Sequence, residues 1–74
     1  MKPTTLKHGT KIIIQEALSK KKMIAFFIRR QPAAGGSKAI NILRVPEFEG
    51  LMSPDDPGIT EMSDYDLSRR GEYV

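Results

Sequence analysis

The stretch KKKMIAFFIRR, residues 20–30, constrains the fold more than any other part of the sequence. An unbroken apolar run, Met23–Ile28, stands between Lys20–Lys22 and Arg29–Arg30. It is far shorter than the roughly 20 residues a membrane-spanning helix needs. A short apolar run with charged ends reads as a core strand with solvated termini. Ile24, Phe26, Ile28 and Arg30 would point one way, and Met23, Ala25, Phe27 and Arg29 the other. The connector QPAAGGS follows, in which Pro32 presets φ and Gly35-Gly36 permits positive φ. KAINILRV then reads as a second strand, so a β-hairpin is expected. Centring its turn near Ala34 places Ile28 opposite Ile40 and Phe26 opposite Ile42. Those four residues and Ile24 form an apolar face for a helix to cover. The opposite face, with Ala25, Phe27, Leu43 and Val45, needs the C-terminal segment, a second copy or a partner.

KIIIQEALSKKK, residues 11–22, supplies the expected helix. Thr10 is a suitable N-cap. Ile13, Ile14, Ala17 and Leu18 share one helical face, and Lys20–Lys22 suit the negative end of the helix dipole. Three consecutive β-branched isoleucines are the counter-signal and favour a strand. The succession IIIQEALSKKK, MIAFFIRR and KAINILRVPE is similar to the opening of WYL-type, Sm-like barrel domains over residues 11–47. The Trp-Tyr-Leu signature is absent, and the resemblance brings no function with it.

Pro46 ends regular pairing, and EFEGLMS is a candidate third strand anchored by Phe48 and Leu51. SPDDPG is a turn cluster. SDYDLSRRG has the order of a short helix: Ser63 as N-cap, Asp64 and Asp66 in the first turn, Arg69 and Arg70 in the last, Gly71 at the end. The expected fold class is α+β, an N-terminal helix packed on a small antiparallel sheet, followed by a polar acidic segment. Residues 1–9 read as a flexible basic arm, residues 10–52 as the domain, and residues 53–74 as an acidic segment, mobile or docked on a partner.

The chain has 74 residues and no cysteine, so disulfides and thiolate metal sites are excluded. Packing alone, or packing with self-association into a homodimer, must hold so small a fold. MKPTTLKHGTK has no apolar stretch after its lysine, which reads as no secretory signal and a cytoplasmic location.

The net charge of +3 hides an asymmetry. Residues 1–44 carry ten Lys/Arg and one acid, and residues 45–74 carry two arginines and eight acids. Such a division points to an anionic partner for the basic part, or to an acidic segment that shields it. The candidate basic surface is Lys20, Lys21, Lys22, Arg29, Arg30, Lys38 and Arg44. The expected hairpin sets Arg30 opposite Lys38, where like charges repel unless phosphate, the acidic segment or an acidic partner neutralises them. The candidate acidic binding residues are Asp55, Asp56, Asp64 and Asp66.

Catalytic chemistry finds little support. His8, the only histidine, sits in the arm far from any base or nucleophile partner and reads as a solvated side chain. GGSK, residues 35–38, superficially resembles a phosphate loop, but its Lys follows Ser and a strand comes next, so it reads as a hairpin turn. The acids match no EF-hand spacing. No enzyme activity, metal or cofactor is expected. The expected function is a small regulatory protein, an inhibitor or adaptor, that binds a protein or a nucleoprotein machine. The alternative is direct nucleic-acid binding by the basic helix end and hairpin. Against it, the basic tract has no interleaved Tyr or Trp to stack on bases.

Overall fold

The structure is a computed structural model and describes residues 1–36 and 38–74. Ser37, in the GGSK turn, lies outside the described residues. The chain forms β1 (Lys11–Gln15), β2 (Lys22–Pro32), β3 (Ala39–Arg44), β4 (Ile59–Ser63), α1 (Asp64–Arg70) and β5 (Gly71–Tyr73). Single 3-10 turns occur at Pro3–Thr5 and Pro46–Phe48. The strands make one antiparallel sheet in the order β4-β3-β2-β1-β5.

The expected N-terminal helix does not form, and no helix from that part of the chain packs on the sheet. Its first half is β1, which pairs Ile12 with Ala25 and Ile14 with Met23. Ile12 and Ile14 are buried while Ile13 is half-buried, a period of two. The stiff χ1 of three adjacent isoleucines fits a pleated strand and loses freedom in a helix. The second half is a tight turn that leaves Leu18 91% exposed. Glu16 holds this turn by accepting from the amides of Leu18 and Ser19 at 3.1 and 2.7 Å. These bonds lower its pKa to about 2, with the Ser19 contacts foremost.

The hairpin of β2 and β3 forms, but in another register. Phe26 pairs with Arg44 and Phe27 with Leu43; beyond an irregularity at Ile28, Arg29 pairs with Ile42 and Gln31 with Ile40. His8 donates from Nδ1 to the carbonyl of Ile28 at 3.1 Å, so the histidine is tied to the irregular point of the strand. The extra residue reverses which side chains face the core. Before it, Met23, Ala25 and Phe27 are buried; after it, Arg30 pairs with Asn41, which shares the buried face of β3 with Leu43.

The covered face is therefore the opposite of the one expected. Met23, Ala25, Phe27, Leu43 and Val45 form one core with Ile12, Ile14, Met62, Leu67 and Leu6. Ala25, Phe27 and Leu43 need no second copy to cover them. Phe26 is half-buried on the outer face, beneath the Arg44 guanidinium at 4.8 Å from its ring centroid.

EFEGLMS does not form the third strand. Its beginning is a 3-10 turn, and the strand beside β3 is Ile59–Ser63. The short helix is capped by Ser63 Oγ, which accepts from the Asp66 amide at 3.0 Å, and Gly71 follows it. Residues 53–74 thus supply both edge strands of the sheet, β4 and β5, with α1 between them, and the segment 1–9 places Leu6 in the core.

The helix explains the curl of the sheet. A flat sheet of five strands would hold its edges about 19 Å apart. Ser63 ends β4 and Gly71 begins β5, and the helix between them spans only about 12 Å. The edges must bend toward each other, with Leu67 filling the interior at 0% exposure. Gly71 makes the return possible, because a Cβ there would stand 2.7 Å from the Leu67 carbonyl oxygen.

Candidate anion-binding cleft

The structure divides the basic residues instead of gathering them. Lys20 and Lys21 precede β2 and Lys22 begins it, whereas Arg29, Arg30 and Lys38 lie toward its far end, with Lys22 and Arg30 about 26 Å apart along the strand. All four ion pairs of the described residues join a cation of residues 1–44 to an acid of residues 45–74. Lys21 meets Glu47 at 2.7 Å, Lys22 meets Glu72 at 2.8 Å, and Arg44 meets Glu49 at 3.0 Å. Lys20 is an exposed turn residue with φ of 63°. Arg29 donates from Nε to Gln31 at 2.7 Å.

The acidic candidates also separate. Asp56 is half-buried and accepts from the amides of Met52 and Gly58, which shapes its own loop. Asp55 is exposed at the same loop, and Asp66 is exposed in the first turn of α1. Asp64 alone meets the basic hairpin end. It receives Nε and Nη2 of Arg30 at 3.1 and 2.5 Å and Nδ2 of Asn41 at 2.8 Å.

This contact follows from the local fold. The irregularity at Ile28 turns Arg30 to the side of the sheet where α1 begins. Asn41 is fully buried between Arg30 and Met62, and Nδ2 also donates to the Met62 carbonyl. Its Oδ1 has no partner among the described residues. The Arg30 hydrogen bonds, then that of Asn41, hold the Asp64 carboxyl below the usual carboxylate range. Asp64 in turn raises the Arg30 pKa. A two-point grip fixes the plane of the guanidinium, which a lone surface arginine lacks.

Arg30 and Asp64 border a cleft of about 420 Å³ that is also lined by Lys38, Ala39, Ser63 and Tyr65. Tyr65 is 57% exposed, and the Arg69 guanidinium stands 5.2 Å from its ring centroid. The pairing of Arg30 with Asp64 ties α1 to the hairpin, and that duty accounts for both residues and for Asn41. It does not account for Lys38 or for the exposed Tyr65, whose ring carries Arg69 over one face and whose hydroxyl accepts from Arg69 Nη1. Together these groups offer two cations to an anion and an aromatic face to a planar ring.

Sequence reasoning named Arg30, Lys38 and Asp64 but missed Asn41 and Tyr65. Tyr65 lies 35 residues after Arg30, and no local pattern links them. No protein-family model matches the chain, and no curated protein or solved structure is significantly similar to it. Among the described residues, no helix is long and apolar enough to cross a membrane.

Proposed function

We propose that this chain is a small, non-enzymatic cytoplasmic binding protein that contacts single-stranded nucleic acid at the end of the β2–β3 hairpin. One observation carries the reading: the exposed ring of Tyr65 shares a cleft with Arg30 and Lys38. Stacking on an aromatic ring combined with cations along a backbone is the common means of holding single strands without sequence preference. Arg30 and Lys38 would receive phosphate oxygens, and Tyr65 would take one base. Asp64 offsets part of the positive charge, so the contact is weak and short. The ion pairs that consume Lys21, Lys22 and Arg44 also disfavour a broad basic face.

The test is fluorescence anisotropy with labelled twelve-nucleotide oligo-dT and oligo-U across a salt series. Two phosphate contacts predict a log–log salt slope of about −1.4, at roughly −0.7 per contact for single strands. Tyr65→Ala should cost about 1–3 kcal/mol, the usual value of one stacked base. Absence of binding at low salt, or binding indifferent to Tyr65→Ala, rejects the reading. Capture of a stoichiometric protein that survives nuclease treatment favours a protein partner instead.

A further inference from the structure

We propose that the free edge of β4 and the apolar groove beside it form a docking strip for an extended, basic-apolar peptide segment of a protein partner. β4 ends the sheet, so one of its sides has no neighbouring strand. Val45 N donates to the Gly58 carbonyl at 2.8 Å, so Val45 turns its backbone toward the β4 side, as do Leu43 and Asn41, the partners of Thr60 and Met62. Antiparallel alternation then turns the backbone groups of Thr60 and Met62 toward β3 and those of Ile59 and Glu61 outward. Among the described residues, Ile59 and Glu61 make no backbone hydrogen bond outside the strand ladder. An added strand would satisfy both amides and both carbonyls.

A short edge strand with one acid is also how sheets commonly avoid unwanted pairing. The groove separates this edge from that case. Phe48, Leu51, Met52 and Ile59 line a shallow apolar depression of about 240 Å³. Leu51 and Met52 are 68% and 89% exposed, and Ile59 opens its side chain to the same place. Scattered exposed apolar side chains are ordinary, but here they gather around one concavity beside the strand edge.

Charge complementarity selects the occupant. Glu61 is exposed and joins no ion pair among the described residues, and exposed Asp55 lies on the loop that carries the groove. Glu47 and Glu49 are already paired with Lys21 and Arg44. The rim is therefore acidic. Side chains two residues apart share one face of a strand. The partner segment accordingly places an apolar residue beside Ile59 and a Lys or Arg beside Glu61. The groove at Ile59 and the cleft at Ser63 lie at opposite ends of β4, about 13 Å apart, with Glu61 between them.

The test titrates the isotopically labelled full chain with the capped peptide TKTITKT, which offers this pattern in either strand direction, and follows backbone amides by NMR. Millimolar peptide should shift Ile59, Glu61, Leu51 and Met52. Glu61→Pro removes an outward N–H while sparing the ladder to β3, and should weaken binding at least tenfold. Glu61→Lys should weaken it through repulsion, and Tyr65→Ala should leave it unchanged. The same peptide N-methylated at alternate amides tests the backbone pairing without altering the protein, and it too should bind at least tenfold more weakly. Shifts centred on the hairpin end, or on Ile24 and Phe26 away from β4, overturn the proposal. So do the absence of shifts at millimolar peptide and equal binding of the N-methylated peptide.

Discussion

Arg30 and Asp64 are 34 residues apart in the chain and meet in a two-point ion pair, with Asn41 holding the same carboxylate from beneath. The contact joins the end of β2 to the start of α1. It therefore fastens the element that closes the sheet to the hairpin that carries the cleft.

Acid should loosen this arrangement. The folded pKa of Asp64 is lowered by Arg30 and Asn41, and that of Glu16 is lowered to about 2. Unfolded carboxyls titrate near about 4. A lowered folded value contributes stability above the unfolded pKa and loses it as pH falls through the folded one. Thermal melts should hold a steady midpoint from neutral pH to about pH 5 and decline below about pH 4. Asp64→Asn should flatten part of that decline. An acid limb unaltered by Asp64→Asn would mean that the pair adds nothing to stability.

Neighbouring phenylalanines should differ sharply. Phe27 is buried in the core, and Phe27→Ala should cost about 3–5 kcal/mol. That is enough to unfold a domain of ordinary stability. Phe26→Ala should cost less than half as much, since its ring is half-buried under Arg44. Equal losses in chemical denaturation would contradict the observed facing of β2.

Gly58 should not tolerate a side chain. Its φ is +78°, and a Cβ would stand 2.5 Å from the Val45 carbonyl oxygen. The left-handed conformation alone costs a non-glycine residue about 1–2 kcal/mol. Gly58→Ala should exceed that figure, because the obstructing atom is backbone. Gly35→Ala has the same sign of φ but would meet nothing within 4 Å among the described residues, and provides the comparison. Similar melting temperatures for the two variants would refute the close approach.

Removing residues 53–74 should unfold the protein instead of unmasking a basic body. The cut takes β4, α1 and β5 and deletes Met62 and Leu67 from the core. The truncated chain should show no cooperative melt and poorly dispersed amide resonances. A folded, cooperative product would restore the view of residues 53–74 as a separate segment.

The sequence by itself determined the strand character of Met23–Ile28, the hairpin after it, and the short helix capped by Ser63. Each rests on local chemistry: an apolar run, a Pro/Gly turn, a hydroxyl that bonds the first free amides. The isoleucine triplet also carried its strand preference, but a competing helical spacing in Ala17 and Leu18 masked it. Only the tertiary structure decided which face of the hairpin is buried. The irregularity at Ile28 changes the parity of every residue after it, and the apolar pattern on both faces left register undetermined. Tertiary packing likewise brought the C-terminal strands to both edges of the sheet, and with them Asp64 and Tyr65 to Arg30 and Lys38. No local propensity encodes that meeting, because it depends on a sheet that curls far enough for a seven-residue helix to bridge its edges.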